Sequence, residues 1–296
     1  MAGYRFCRSD DVPLLVDAFN ACAHSLGMPF EPLTVERFKE LSRSLDLWTS
    51  SCMIAIVQGE PIAVLLAAKR EEANLILSVL VHAEHQRQGH GRHLLTSLGQ
   101  KMAILGPSRL VAELPESAQP ARNFFEACGY RQETVVSDYS QAGRAAPLGE
   151  LASLVGEAGF DELHAAGALA ASTARCWERA PESLWRRRAE LKAIAIGSER
   201  RVEAHLLYRE EAGGGAEVAA VGCADRERAL PLSTLLLRAI AAETAGRVRF
   251  PKVHPEEVPV QALKAAGFEP GERTLIYAAR AVGREEIAGT EAGAGW

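Results

Sequence analysis

Between His82 and His93 the chain gathers four of its eight histidines (His82, His85, His90, His93) and two arginines (Arg87, Arg92) around two glycines, Gly89 and Gly91. Cationic and proton-accepting side chains on a turn whose glycines leave backbone N–H groups uncovered attract an anion. The chain as a whole is acidic, with a formal net charge of −5, so the patch stands out against its background. Phosphate is the expected ligand class. A metal is not expected, because the four histidines form no known zinc spacing with nearby cysteines or carboxylates. A nucleotide P-loop would end in Gly-Lys-Ser/Thr, which is absent, and a dinucleotide fingerprint needs a small residue where Leu94 stands.

The flanking residues supply the elements that position this turn. Leu75-Ile76-Leu77-Ser78-Val79-Leu80-Val81 is a nearly continuous apolar run of strand length with β-branched residues, which predicts a buried strand. After the turn, Leu94, Leu95, Leu98, Met102 and Leu105 recur at helical spacing, so a helix starts near Gly91 and Gly106-Pro107 stops it. Strand, glycine loop and helix together aim unpaired amides and the positive end of a helix dipole at one point.

With 296 residues and 48% hydrophobic composition, the chain is long enough for two domains with full cores. No signal segment and no apolar run of bilayer length is evident, so a cytoplasmic protein without a membrane partner is expected. The six cysteines are scattered without CxxC pairs and read as buried free thiols. Mild acidity, few aromatics and no basic tract disfavour nucleic acid.

Taken in order, Tyr4–Cys7 reads as a strand, Ser9-Asp10-Asp11 as the start of a helix, and Thr34 as the single-hydroxyl cap of a second helix. Met53–Val57 and Pro61–Ala68, joined by Gln58-Gly59-Glu60, read as an antiparallel hairpin. Beyond the central helix come a strand at Leu110–Leu114 and a helix capped by Ser117 that stops at Gly129. Thr134–Tyr139 then completes the sheet. After a small-residue linker, Gln141–Pro147, the pattern repeats. Ala193–Ile196, Val202–Tyr208 and Val218–Gly222 echo the hairpin and the organising strand, Val258–Phe268 echoes Pro120–Tyr130, and Thr274–Ala278 closes. The expected division is 1–140, 148–280 and a mobile tail over 281–296. The second loop, Asp225 to Leu232, has no glycine, carries Asp225 and Glu227, and includes Pro231, which has no N–H to offer.

Gln86-Arg87-Gln88-Gly89-His90-Gly91, after a strand closed by Val81, resembles the acetyl-CoA loop of the GNAT (Gcn5-related) acetyltransferases, Gln/Arg-x-x-Gly-x-Gly/Ala. A second family signature, helix then Gly-aromatic, is matched by Ala121-Arg122-Asn123-Phe124-Phe125-Glu126-Ala127-Cys128-Gly129-Tyr130. The resemblance implies a mixed α/β fold of two tandem GNAT-like domains, each a mostly antiparallel central sheet with flanking helices, with the second copy degenerate. It implies acetyl-CoA as co-substrate and a primary amine of a small molecule or amino-acid-like acceptor, acetylated by direct attack. Carried over position by position, Val79, Leu80 and Val81 contact the cofactor's arm, with Leu80 offering the backbone contact to the oxyanion. Gln86, Arg87, Gln88, Gly89, His90, Gly91 and Arg92 hold the pyrophosphate, and Phe125 lines the site.

Two departures matter. The family's usual general acid is a tyrosine where this chain has Phe125, which has no proton to give, and the frequent asparagine at the start of that helix is replaced by Ala118. Tyr130 and Tyr139 are possible substitutes for the acid. Glu113 is the leading general base, with His82, Glu84 and Asp138 as others, and a water chain as a further route. The alternative readings are a non-catalytic acyl-CoA-binding or regulatory module and a purely structural tandem protein. A monomer or a homodimer fits either.

Overall fold

The computed structural model describes residues 2–27, 30–143, 145–171, 176–198 and 201–281. The expected tail lies, past Ala281, outside the described residues. The first ten elements are β1 (Gly3–Phe6), α1 (Val12–Ser25), α2 (Val35–Leu45), β2 (Met53–Val57), β3 (Glu60–Lys69), β4 (Asn74–Val81), α3 (His90–Leu105), β5 (Arg109–Pro115), α4 (Gln119–Ala127) and β6 (Arg131–Gln141). The same succession then repeats as β7 (Val155–Ala158), α5 (Phe160–Ala165), α6 (Pro181–Arg186), β8 (Lys192–Ser198), β9 (Arg201–Glu211), β10 (Gly215–Cys223), α7 (Ala229–Glu243), β11 (Val248–Val253), α8 (Val260–Ala265) and β12 (Glu269–Arg280). The duplication read from the sequence is therefore present element for element. It includes β7, α5, α6 and β11, which no pattern had announced.

Two compact units result. The first runs through Leu114, takes in Ala118–Glu133 and regains the chain at Ile276; the second holds Pro115–Ser117 and Thr134–Leu275. In the first, the strand order is β1-β2-β3-β4-β5-β12, antiparallel from β1 to β4 and parallel between β4 and β5. The β2–β3 turn uses Gln58 and Gly59 at φ 51 and 90, the double positive φ that suits a two-residue hairpin. One apolar layer joins α1 and α2 to β2 and β3 through Leu15, Ala18, Cys22, Phe38, Ile54, Val64 and Leu66. On α3, Leu94, Leu95, Leu98 and Met102 are buried as their spacing predicts, whereas Leu105, in the last turn, is 60% exposed.

In the second unit the order is β12-β6-β11-β10-β9-β8-β7. The strand expected at Thr134–Tyr139 to complete the first sheet does form, as part of β6, but it lies between β12 and β11 and not beside β5, with Tyr139 opposite Phe250 and Ser137 opposite Val253 on β11. In the first unit the neighbour of β5 is instead the end of β12, where Ala281 N–H donates to Ser108 O at 2.6 Å and the Tyr277 hydroxyl donates to Glu126 at 2.7 Å. Each copy is closed by a strand of the other. Alternating residues specify a strand but not which edge it joins.

A smaller correction concerns α4. Ser117 does not cap it: the cap position is Ala118, with no side-chain hydrogen bond, and Pro120 lies in the first turn, where its missing N–H has no consequence. Thr34 does accept from Arg37 N–H at 3.1 Å, and Gly129 adopts φ 87 as a left-handed stop. The six cysteines are free, and burial pushes the Cys7 and Cys52 thiols up to about 12. Among the described residues no helix is long and apolar enough to cross a membrane.

Candidate functional site

The site is set up by the point at which β4 and β5 part. They pair at Asn74–Leu110, Leu75–Val111 and Ile76–Ala112, and there the ladder ends although β4 runs on to Val81. Burial follows: Asn74, Leu75 and Ile76 are buried, while Leu77 to Val81 are half-buried. The register with β3 skips Leu77, a bulge that bends β4 at the place where it leaves β5.

Which backbone groups face the resulting gap follows from parity. His82 N–H donates to Ile62 O at 2.9 Å, and Leu80 lies opposite Val64, two residues back on each strand. Amides and carbonyls of alternate residues point the same way, so those of Leu80 are used within the sheet and those of Val79 and Val81 face the open edge. The Gln86 side chain reaches that edge, donating to Val81 O at 3.3 Å. The Leu80 amide, expected to offer the backbone contact, is turned toward β3, and the amides at the open edge are those of Val79 and Val81.

Past Val81 the chain makes a short 3-10 turn, Ala83–His85, pinned by Ala83 N–H donating to Ser25 Oγ at 3.0 Å. Arg87 and Gly89 then take φ 61 and 87, and α3 begins at His90 with no side-chain cap over its first amides. Left-handed residues beside a helix N-terminus make a concave array of N–H donors, a nest for an anion. Gly91 is there for a different reason. A Cβ on it would lie 3.1 Å from the Phe124 ring and 3.6 Å from the Val81 side chain, so its role is close packing of α3 on α4 and β4. Arg92 supports the same packing, donating to Ala127 O at 3.1 Å.

Two of the loop histidines, His90 and His93, are engaged by Tyr4. The Tyr4 hydroxyl lies 2.6 Å from His90 Nδ1, and its ring stacks on His93 with centroids 3.8 Å apart. His90 is buried, and burial first, then His85 and His93, pushes its pKa down, which favours its neutral form. Arg87 and Arg92 bring two permanent positive charges to the loop. Tyr4, on β1, and Phe124 complete the setting. Nothing in the sequence linked Tyr4 to a loop 86 positions away, whereas Phe124 sat inside a recognised signature.

Glu113 is half-buried and is the first residue of β5 beyond the last pair with β4, which puts it at the mouth of the gap. Glu84 is exposed on the turn, close in sequence to His82. Asp138 is not brought to the loop: it lies in the second unit, where its carboxylate accepts from Lys252 N–H at 2.8 Å. Tyr139 is likewise in the second unit, packed on that unit's core. Phe125 is buried, edge-on to Tyr130 at 5.1 Å and to Phe124 at 5.4 Å. The Tyr130 hydroxyl is buried without a hydrogen-bond partner, and burial raises its pKa well above the ordinary tyrosine value. Phe125 has no proton to give, and the Tyr130 phenol keeps its proton at neutral pH.

The corresponding loop of the second unit is built differently. Asp225 turns its carboxylate onto Glu227 N–H at 2.9 Å, a 3-10 turn runs from Arg226 to Arg228, and Pro231 occupies the first turn of α7. One amide is thus already satisfied by an anion of the chain, and another is missing.

Residues 16–130 match the family model described as the acetyltransferase (GNAT) family, a span that contains the loop, β4, α3 and α4. Similar solved structures include a GCN5-related N-acetyltransferase from Sphaerobacter thermophilus, 17% identical over 95% of this chain and 96% of that one, with TM-score 0.66. A tandem GNAT protein from the clavulanic acid biosynthesis pathway is 16% identical over 95% and 99%, with TM-score 0.58. A GCN5-related N-acetyltransferase from Anabaena variabilis is 11% identical over 95% and 73%, with TM-score 0.60. No curated protein matches the sequence. At these identities the likeness concerns the fold, and it spans both units.

Proposed function

We propose, on the premise that this chain belongs to the acetyltransferase (GNAT) family through its residues 16–130, that its first unit is an acetyl-CoA-dependent N-acetyltransferase. The acceptor is the primary amine of a small molecule or an amino-acid-like compound. The observation that carries this reading is the parting of β4 from β5 beside an uncapped helix N-terminus. An open strand edge is a template for an amide-bearing chain, and the nest beside it suits a pyrophosphate. Acetyl-CoA has both parts, joined in that order.

In this reading the amides from Arg87 to Arg92 hold the pyrophosphate, with Arg87 adding charge and Gln86 holding the strand end. The Val79 and Val81 backbone pairs with the pantetheine arm, and a strand-edge amide stabilises the oxyanion that forms as the amine attacks the thioester carbon. Glu113, directly or through water, takes the proton from the incoming ammonium. Phe125 lends shape and no proton, so the thiolate leaves unaided; a thiol pKa of about 8.5 makes that tolerable. The chemistry is assigned to residues 1–140, and 148–280 serves as its structural partner.

Phe125 also favours a second reading, a unit that binds acyl-CoA without turning it over. An assay of thiol release from acetyl-CoA across a panel of small amines separates the two. Release that requires both acetyl-CoA and one class of amine supports the enzyme, and tight binding with no release from any amine supports the binding module.

A further inference from the structure

The second unit contains a gap of the same construction as the one between β4 and β5. β10 pairs with β11 only at Ala216–Val248 and Glu217–Arg249 while continuing to Cys223, and its register with β9 skips Ala219 just as that of β4 skips Leu77. This gap is filled by the chain itself. Arg179, from the connection between α5 and α6, donates from Nε to Ala219 O at 2.9 Å. Its Nη1 donates to Pro251 O at 2.6 Å and Lys252 O at 3.0 Å, and its Nη2 to the Glu257 carboxylate. The guanidinium lies over the Phe250 ring, 4.5 Å from its centroid. Arg179 is 3% exposed, and the Glu257 side chain is fully enclosed.

The backbone of β11 is shaped to this occupant. Successive carbonyls of a regular strand point to opposite edges, so Pro251 and Lys252 cannot both serve one nitrogen without a distortion. The distortion is present: Lys252 has φ 50, its amide leaves the ladder for Asp138, and the register with β6 breaks between Phe250 and Val253.

We propose that the second unit holds a guanidinium-binding site, made by the strand-edge carbonyls of Ala219, Pro251 and Lys252 with the Glu257 carboxylate and occupied in cis by Arg179. Every one of these groups is an acceptor. Arg179 meets them as a flat fork of fixed donors, a pattern that an ammonium, with three donors about one point, does not reproduce. The inference stands on the second unit alone and does not depend on acetyl-CoA binding in the first.

The test removes the occupant and offers its head group back to the full-length chain. Arg179→Ala lowers the thermal midpoint by on the order of 10 °C. Millimolar ethylguanidinium then recovers most of that loss with saturation, whereas ethylammonium and urea at the same concentration do not. Equal recovery by ethylammonium, or no recovery by ethylguanidinium in a folded variant, overturns the site. Where Arg179→Ala does not fold, the unmodified chain answers by heteronuclear NMR. A guanidinium locked on these acceptors gives resolved, slowly exchanging Nη signals that Arg179→Lys abolishes. Arg179 signals that exchange as fast as those of surface arginines overturn it.

Discussion

The gap between β4 and β5 and the gap between β10 and β11 arise from the same backbone plan and end in opposite states. In both, a parallel ladder stops early and a bulge bends the inner strand away. In the first, the open edge of Val79 and Val81 leads to a glycine nest with an uncapped helix behind it. In the second, a guanidinium occupies the strand edge and an aspartate occupies the loop. A duplicated fold keeps its parting strands because the bulge and the short ladder are set by the backbone, while a few side chains decide whether the gap meets a ligand. Two residues, Arg179 and Asp225, give the second copy internal substitutes for an arm and an anion.

The largest effect that sharpens this contrast is on binding. Gly89→Glu puts a carboxylate into the nest and is expected to weaken acetyl-CoA binding by more than about 1,000-fold, since several charge-assisted hydrogen bonds are lost together. Arg226→Glu, in the second loop, is expected to leave affinity unchanged; calorimetric titration of both variants checks the pair. Gly89 is the better probe than Gly91, because a side chain at position 91 also displaces Phe124.

Next in size is an acid sensitivity belonging to the second unit. His205 on β9 is buried over Gly222, where a Cβ would come 2.3 Å from its ring, and burial pushes its pKa down to about 4. The unfolded chain takes up this proton near pH 6.5, the folded chain only near the lower value. Stability from this residue is therefore complete above about pH 6.5 and falls as pH drops toward 4, by up to roughly 3 kcal/mol. Urea unfolding at pH 7 and pH 4.5 is expected to show this loss in the unmodified chain and much less of it in His205→Gln; an equal loss in both would assign the sensitivity elsewhere.

Smaller effects test the first unit. Tyr4→Phe removes the hydroxyl at His90 Nδ1 and is expected to cost about 1 kcal/mol of stability, with a few-fold rise in the Kd for acetyl-CoA, because the first turn of α3 loses its tether to β1. Phe125→Tyr is expected to raise turnover a few-fold, or leave it unchanged, by restoring a proton donor for the thiolate. A large loss in steady-state kcat would instead make the buried ring at 125 part of the acceptor pocket.

Much of the first site was legible because its parts are contiguous. The apolar run to Val81, the glycines at 89 and 91 and the leucines of α3 lie within one stretch of chain, and their order alone sets out a strand, a nest and a helix. What escaped depends on partners distant in sequence. The turning of Leu80 toward β3 follows from its register with Val64, and the exchange of β6 and β12 follows from which sheet edges are open; neither leaves a mark on the residues themselves. Arg179 is the clearest case. It sits in a short connection between Glu178 and Ala180 with no motif around it, and its acceptors are mostly backbone carbonyls 40 to 73 positions away.

The contrast between the two gaps is tested most directly by the stoichiometry of acetyl-CoA on the purified full-length chain, measured by isothermal calorimetry with Gly89→Glu alongside. One site per chain, lost in the variant, is the predicted result. Two sites per chain, or binding that survives Gly89→Glu, would contradict it by placing the ligand somewhere other than the single open gap of the first unit.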